Sequence, residues 1–320
     1  MKIRDVVKLG TVAICDYLLD KFSYSKLNCF SKCPRQAWYR YIQRLPFKVS
    51  PWILFGRGVH GGQEADNYAK LRGERLSVEN VLEAAVAEYE HEIETSNLDR
   101  RLFPIDPFAE EHKAQLEVFD RSGLREQVQP VPGSIEAGFQ MEVLAGDGDG
   151  TMKPAVVEGF VDVVSVNPDG TKEVINYKSA GRPTSVKEVD QNLQLSMEAI
   201  GSGCTERKII CFLKAGKQKP TTKAYSSSKP PQEQLALQFI GDTISDFRWS
   251  VKHDCWPKCD RSCRWCGAGF CEFYGLCYPR DIDIGKVIVV KKISPVGTLP
   301  PATWRESFQG QRESMRKDNK

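Results

Sequence analysis

Six of the eleven cysteines fall between Cys255 and Cys277, while Cys15, Cys29, Cys33, Cys204 and Cys211 are scattered upstream. Thiols at that density are crosslinked, committed to a metal or, less commonly, free and structural. Disulfide-dense domains are short and secreted, and they carry a targeting segment. This sequence runs to 320 residues, and its beginning lacks the apolar core of a signal peptide. Metal binding is therefore the expectation. The composition is otherwise that of a globular chain, 41% apolar and 27% charged. No apolar run approaches the ~18 residues of a membrane span. A charge of +3, from 45 basic and 42 acidic residues, excludes a polycation and leaves room for local basic surfaces.

At roughly 150 residues per domain the length accommodates one large domain or two modest ones. Ser77 is placed to cap a helix whose apolar positions Val78, Leu82, Ala85, Val86, Tyr89 and Ile93 recur at helical spacing. From Ile135 the texture becomes that of strands. Ile135–Leu144 partly alternates, and Ala155–Val166 and Lys172–Tyr177 flank Asn167-Pro168-Asp169-Gly170, a hairpin signal. A helix is expected over Val186–Ile200, a buried strand over Lys208–Leu213 and a loop over Gly216–Pro231. A second helix should carry Leu235, Phe239, Ile240, Ile244 and Phe247 on its apolar face. The chain thus reads as four parts. Residues 1–133 are largely helical, 134–250 form an α/β core and 251–284 are cysteine-rich. Residues 285–320 form a flexible arm with eight Lys/Arg against three Asp/Glu.

The hairpin carries the first chemical signal. Asp162 lies in one strand, and Asn176-Tyr177-Lys178 ends its partner with Asn176 and Lys178 on one face. Metal-dependent phosphodiester cleavage needs such a set: carboxylates hold a hard cation that polarises the phosphate, and a lysine orients the attacking water. A surface hairpin with a solvated lysine gives the same pattern. Two further elements add to it. Phe55-Gly56-Arg57-Gly58-Val59-His60 lies upstream with Glu64 one turn on, and Gln191 and Gln194 come after the lysine, three apart on one helix face.

Taken in order, Ser25, Cys33-Pro34-Arg35, Tyr39-x-Tyr41, Gly56…His60, Gly159…Asp162, Asn176-Tyr177-Lys178 and Gln194-Leu195, ending in clustered cysteines, resemble the RecB-type iron–sulfur branch of the PD-(D/E)xK nucleases. The CRISPR-associated RecB-like exonucleases, the AddB nuclease domain and phage-encoded relatives are the members in view. The resemblance covers Ser23 to Cys277. It implies an α/β fold of the restriction-endonuclease type, with a mixed central sheet and flanking helices. It also implies His60, Asp162, residue 176 and the backbone carbonyl of Tyr177 as ligands of Mg²⁺ or Mn²⁺, Lys178 as the catalytic lysine, and Gln194 as the start of the glutamine motif. Two positions depart from the pattern. Glu198 stands where the family usually has an aromatic, and Asn176 stands where its name demands Asp or Glu. An amide offers a carbonyl oxygen but no charge, so the site should hold metal poorly. Either the chain is a pseudo-nuclease that keeps DNA binding, or Asn176 replaces an aspartate by design. The intact state of every other element favours the second account.

The resemblance further implies a [4Fe–4S] cluster held by one cysteine from the N-terminal Cys-Pro-Arg element and three from the C-terminal group. Cys33 fits the first role. Cys263, Cys266 and Cys271 are the preferred three, with Cys277 as the substitute for Cys263; a local zinc site within Cys255–Cys277 competes. Arg35, Trp38, Tyr39, Arg40, Tyr41 and Arg44 interleave cations with aromatics, and Lys214, Lys217, Lys219 and Lys223 sit where a loop could track a phosphate backbone. The implied activity is exonucleolytic cleavage of single-stranded DNA ends in the bacterial or phage-infected cytoplasm, beside a helicase, recombination or CRISPR-integration partner and away from membranes. A decayed DNA-binding or assembly subunit, stapled by a cluster or by zinc, is the alternative. A zinc-stapled adaptor with no DNA role is a third.

Overall fold

A computed structural model describes residues 19–45, 51–96, 98, 100–214, 219–227, 233–259, 266 and 271–277. Cys15, Cys263, Lys217 and the basic arm at 285–320 lie outside the described residues. The chain divides into two compact units, Met1–Asn28 with Lys48–Asp246, and Cys29–Phe47 with Phe247–Lys320.

The larger unit is a mixed α/β structure with a central mixed sheet and flanking helices. Its strands are β1 (Lys21–Ser23), β2 (Pro130–Gly146), β3 (Met152–Val166), β4 (Lys172–Ala180), β5 (Glu206–Leu213) and β6 (Thr221–Ser227). They run in the order β1-β3-β4-β5-β6, with β2 paired along β3. The β1–β3 and β4–β5 pairs are parallel and the other pairs antiparallel. The expected hairpin joins β3 to β4. Asn167 accepts from Gly170 N–H at 2.9 Å, and Gly170 supplies the positive φ of 85° that the turn requires.

Helices α1 (Tyr24–Lys32) and α2 (Pro34–Ala37) come first, and α2 runs into a π-helical turn over Trp38–Ile42. Next in the chain are α3 (Pro51–Leu71), α4 (Val78–Thr95) and α5 (Ile105–Arg121). Ser77 caps α4 by accepting from Asn80 N–H. The face α4 buries is Val81, Ala85, Tyr89 and Ile93, while Val78, Leu82 and Val86 pack at its margin.

Glycines set the position of α3. A Cβ on Gly58 would lie 2.5 Å from the Phe108 ring and 3.0 Å from the Ala85 carbonyl, and one on Gly62 would lie 3.0 Å from the Val81 carbonyl. Glycine inside a helix costs roughly 1 kcal/mol against alanine. The cost is offset here by backbone-distance packing on α4 and by the Phe108 contact.

Several expectations need correction. Val186–Ile200 is not one helix but two, α6 (Val186–Asp190) and α7 (Leu193–Ser202). Asn192 breaks them by accepting from Leu195 N–H as the cap of α7, so Gln191 and Gln194 do not share a helix face. The stretch expected to be a loop contains the polar strand β6. Lys214 is buried over the Phe55 ring at 3.9 Å, its ammonium pushed down to about 8 by burial, and does not lie along a phosphate path. On α8 (Glu233–His253) the buried positions include Ala236, Ile240, Ile244 and Phe247, whereas Leu235 and Phe239 are exposed.

His112 gives the larger unit a pH dependence. It is fully buried among Phe55, Phe108 and Phe212, with only Gln115 as a polar partner at 3.1 Å, and burial pushes its pKa down to about 4. The unfolded chain takes up a proton near pH 6.5, and the folded chain does so only near pH 4. Stability is therefore full above about pH 6.5 and falls between those values. Urea unfolding should show the parent losing about 2 kcal/mol between pH 7.5 and pH 5 relative to His112→Phe. Equal losses would show that His112 stays neutral for no energetic reason.

Candidate active site

Strands β3 and β4 pair from Val166↔Lys172 to Val163↔Ile175, and the ladder ends there. At the next position the Asp162 carboxylate, rather than a carbonyl, accepts the Tyr177 backbone N–H at 2.7 Å. On the other side of β3, the pairs Ile135↔Val163 and Ala137↔Val161 place Glu136 across from Asp162. Two carboxylates opposed across a ladder repel each other. Glu136 also holds a φ of +47°, a region side chains other than glycine seldom enter and one that marks stored strain. Helix α3 adds His60, whose Nδ1 lies 3.6 Å from the free Asp162 oxygen.

One ligand atom each from His60, Glu136 and Asp162 fall within 4.8 Å of one another. Ligands around a single six-coordinate cation with ~2.1 Å bonds are ~3 to ~4 Å apart, so a small closure would complete a site. Two carboxylates and an imidazole suit Mg²⁺ or Mn²⁺. Glu136 is pushed up to about 8, first by burial and then by Asp162, Glu64 and Glu198. A cation bound among these carboxylates would favour their charged forms and lower that value. No motif in the sequence singles out Glu136.

His60, Glu64, Glu136 and Lys178 line a cleft of about 660 Å³ between α3 and β4. Lys178 Nζ donates to Gln194 Oε1 at 3.2 Å. Gln194 Nε2 in turn donates to Glu198 at 2.8 Å, and Asn176 Nδ2 lies 3.1 Å from both Glu198 oxygens. The Tyr177 side chain points into the core, its hydroxyl accepting from Asn67 at 3.3 Å.

In the smaller unit, Cys33, Cys259, Cys266, Cys271 and Cys277 line one pocket with Phe273 and Tyr274. Sequence-distant segments meet around it. The Arg35 N–H donates to the Pro257 carbonyl at 3.0 Å, and Gln36 donates to Glu272 at 2.9 Å. Cys266, Cys271 and Cys277 therefore gather with Cys33, as does Cys259, which belongs to neither of the expected triplets. Burial and neighbouring thiols raise the Cys259 pKa, and burial, Glu272 and the neighbouring thiols raise that of Cys271 to about 11; a bound metal would reverse both shifts. The aromatic–basic stretch packs inward. Arg35 donates to the Trp256 carbonyl and lies over Trp38, Arg40 pairs with Glu272, and Tyr39 packs on Phe273. Arg44 has a φ of +49°, outside the helical register that would align it with Arg40.

A model of the PD-(D/E)XK nuclease superfamily matches residues 21–277. The chain belongs to this superfamily. PD-(D/E)XK nucleases typically use Mg²⁺ or Mn²⁺, in keeping with the His60, Glu136 and Asp162 donor set. No curated protein matches the chain. Among solved structures, a protein designated SSO0001 is 13% identical, with 73% of this chain and 86% of that one covered and a TM-score of 0.30. A protein of Eubacterium rectale, described as a candidate exonuclease, is 12% identical, with 83% and 92% covered and a TM-score of 0.49. No helix among the described residues is long and apolar enough to cross a membrane.

Proposed function

We propose that this PD-(D/E)XK protein is a metal-dependent deoxyribonuclease of the RecB-like iron–sulfur branch, acting exonucleolytically on single-stranded DNA in a bacterial or phage-infected cytoplasm. The observation that carries the reading is the convergence of His60, Glu136 and Asp162 at a lysine-bearing cleft, which His60 and Glu136 line, at the point where β3 and β4 part. A divalent cation held by these three residues would polarise the scissile phosphate and offset the charge gathering on it. Lys178, oriented by Gln194, holds the attacking water through its Nζ. Asp162 is kept in place by the Tyr177 N–H. A partner helicase, recombination factor or CRISPR integrase would deliver the strand.

In the smaller unit Cys33 would join three of Cys259, Cys266, Cys271 and Cys277 as ligands of a [4Fe–4S] cluster; Cys263 lies outside the described residues. Five thiols line that pocket, enough for the four that either a [4Fe–4S] cluster or a single zinc takes. Asn176 supports the second reading, a subunit that binds DNA without cutting it.

End-labelled single-stranded DNA incubated with Mn²⁺ or with EDTA separates the two. Mononucleotide release in Mn²⁺ only, with a closed circle of the same sequence left intact, is the expected result. Binding without cleavage in Mn²⁺ would leave the subunit reading standing.

A further inference from the structure

The two positions at which the sequence departs from its family pattern, an amide at 176 and an acid at 198, are in direct contact. Both side chains are 2% exposed, and the Asn176 Nδ2 lies at 3.1 Å from each Glu198 oxygen. We infer that acid and amide have exchanged places, so that Glu198 is the carboxylate of the PD-(D/E)XK site and binds the divalent cation together with Asp162. The inference rests on the nuclease reading above and names a residue which that reading lacked.

Charge and hydrogen-bond partners point the same way. A buried carboxylate is costly unless a cation or a full set of donors meets it. Glu198 receives donors only from two neutral amides, Asn176 and Gln194, and lies within electrostatic reach of Asp162 and Glu136, outside the 4.8 Å set that those two form with His60. Lys178 is near enough to favour its charge, but the lysine's hydrogen bond goes to Gln194. A third acid beside two others only deepens the repulsion unless a cation is to be bound there. An aspartate at 176 would stand against Glu198 as a like charge, whereas an asparagine holds Glu198 by donating to it. The Asn176 Oδ1 is meanwhile buried without a hydrogen-bond partner. Asn176 is thus best suited to orient another residue's carboxylate, and no designed substitution is needed to explain it. Glu198 and Gln194 also line a second pocket of about 190 Å³ with Tyr24 and Phe160, separate from the cleft that His60 and Lys178 line.

The test measures Mn²⁺ binding by calorimetry, and thermal unfolding with and without Mn²⁺, in the full chain. Glu198→Gln should weaken Mn²⁺ by about tenfold or more and lose most of the Mn²⁺-induced rise in Tm. Its metal-free Tm should be no lower than the parent's, because a buried like charge has gone. The double variant Asn176→Asp/Glu198→Gln, which returns the acid to 176, should recover Mn²⁺ affinity to within about threefold. Parental affinity in Glu198→Gln, no recovery in the double variant, or a fall in metal-free Tm would overturn the inference, the last because it would give the carboxylate a structural role. Asp162→Asn in the same assay keeps the two levels apart. If it binds Mn²⁺ like the parent, the nuclease reading of the site fails. If it loses Mn²⁺ while Glu198→Gln does not, only the role of Glu198 fails.

Discussion

Asp162→Asn is expected to lower Mn²⁺-dependent cleavage of single-stranded DNA by about three orders of magnitude or more, with binding of the strand retained. Asp162 stands at the centre of the site. One oxygen is fixed by the Tyr177 N–H, the other faces His60, and both Glu136 and Glu198 feel its charge. The amide keeps the volume, and its oxygen can still accept from Tyr177, so the fold should survive. The anionic charge that a divalent cation needs is removed. Lys178→Ala tests the other half of the machinery and should cost roughly 10²- to 10⁴-fold, the usual range for a positioned proton-transfer group, while leaving Mn²⁺ affinity near the parental value. Single-turnover rates on an end-labelled oligonucleotide, with binding monitored by fluorescence anisotropy, check both. Parental rates in either variant would remove that residue from the chemistry.

The second large effect belongs to the smaller unit. Cys33→Ser should strip the chain of iron, abolish broad absorbance near ~400 nm and destabilise the unit by several kcal/mol, since ligand binding and folding are one event in such sites. Cys33 comes from a segment far from Cys259–Cys277 in sequence, and the polar contacts seen between the two include Gln36 and Arg40 with Glu272 and Arg35 with Pro257 and Trp256. Without a shared metal the pocket would rest on such contacts and on the packing of Tyr39 against Phe273. Cys204→Ser is the control, because Cys204 is buried beside Ser202 in the other unit. Iron and acid-labile sulfide analysis of anaerobically purified protein decides the matter. A colourless parent with stoichiometric zinc would replace the cluster by a zinc staple.

Much of the architecture is written in local signals. Asn167-Pro168-Asp169-Gly170 is a turn wherever it occurs between apolar strands, and Ser77 can cap only a helix that begins at its own C-terminal side. His60, Asp162 and Lys178 can be singled out because each sits in a short pattern. Glu136 cannot be, for its importance comes from cross-strand register and a positive φ. Glu198 is visible only as an exception to a family pattern. That it touches Asn176 is a fact about how α7 packs on β4, and no spacing rule announces it. Strand β6, built from Thr, Lys, Tyr and Ser, lacks the apolar signature of a core strand because it pairs at the end of the strand order, and so its residues have the look of a loop. Asn192 has the same character: an asparagine inside an apolar periodicity looks like a tolerated guest until its side chain is seen capping a new helix.

The close seating of α3 carries a consequence for how this chain tolerates change. Gly58 and Gly62 flank His60 and have no room for a methyl group against Phe108, Ala85 and Val81, so any larger residue must lift the helix, and the imidazole rises with it. A saturation screen scored on activity would find these two glycines as intolerant as the acids they never touch, while a screen scored on protein abundance would rate them far milder. The gap between the two maps would trace the lever arm that runs from a helix contact to a ligand atom.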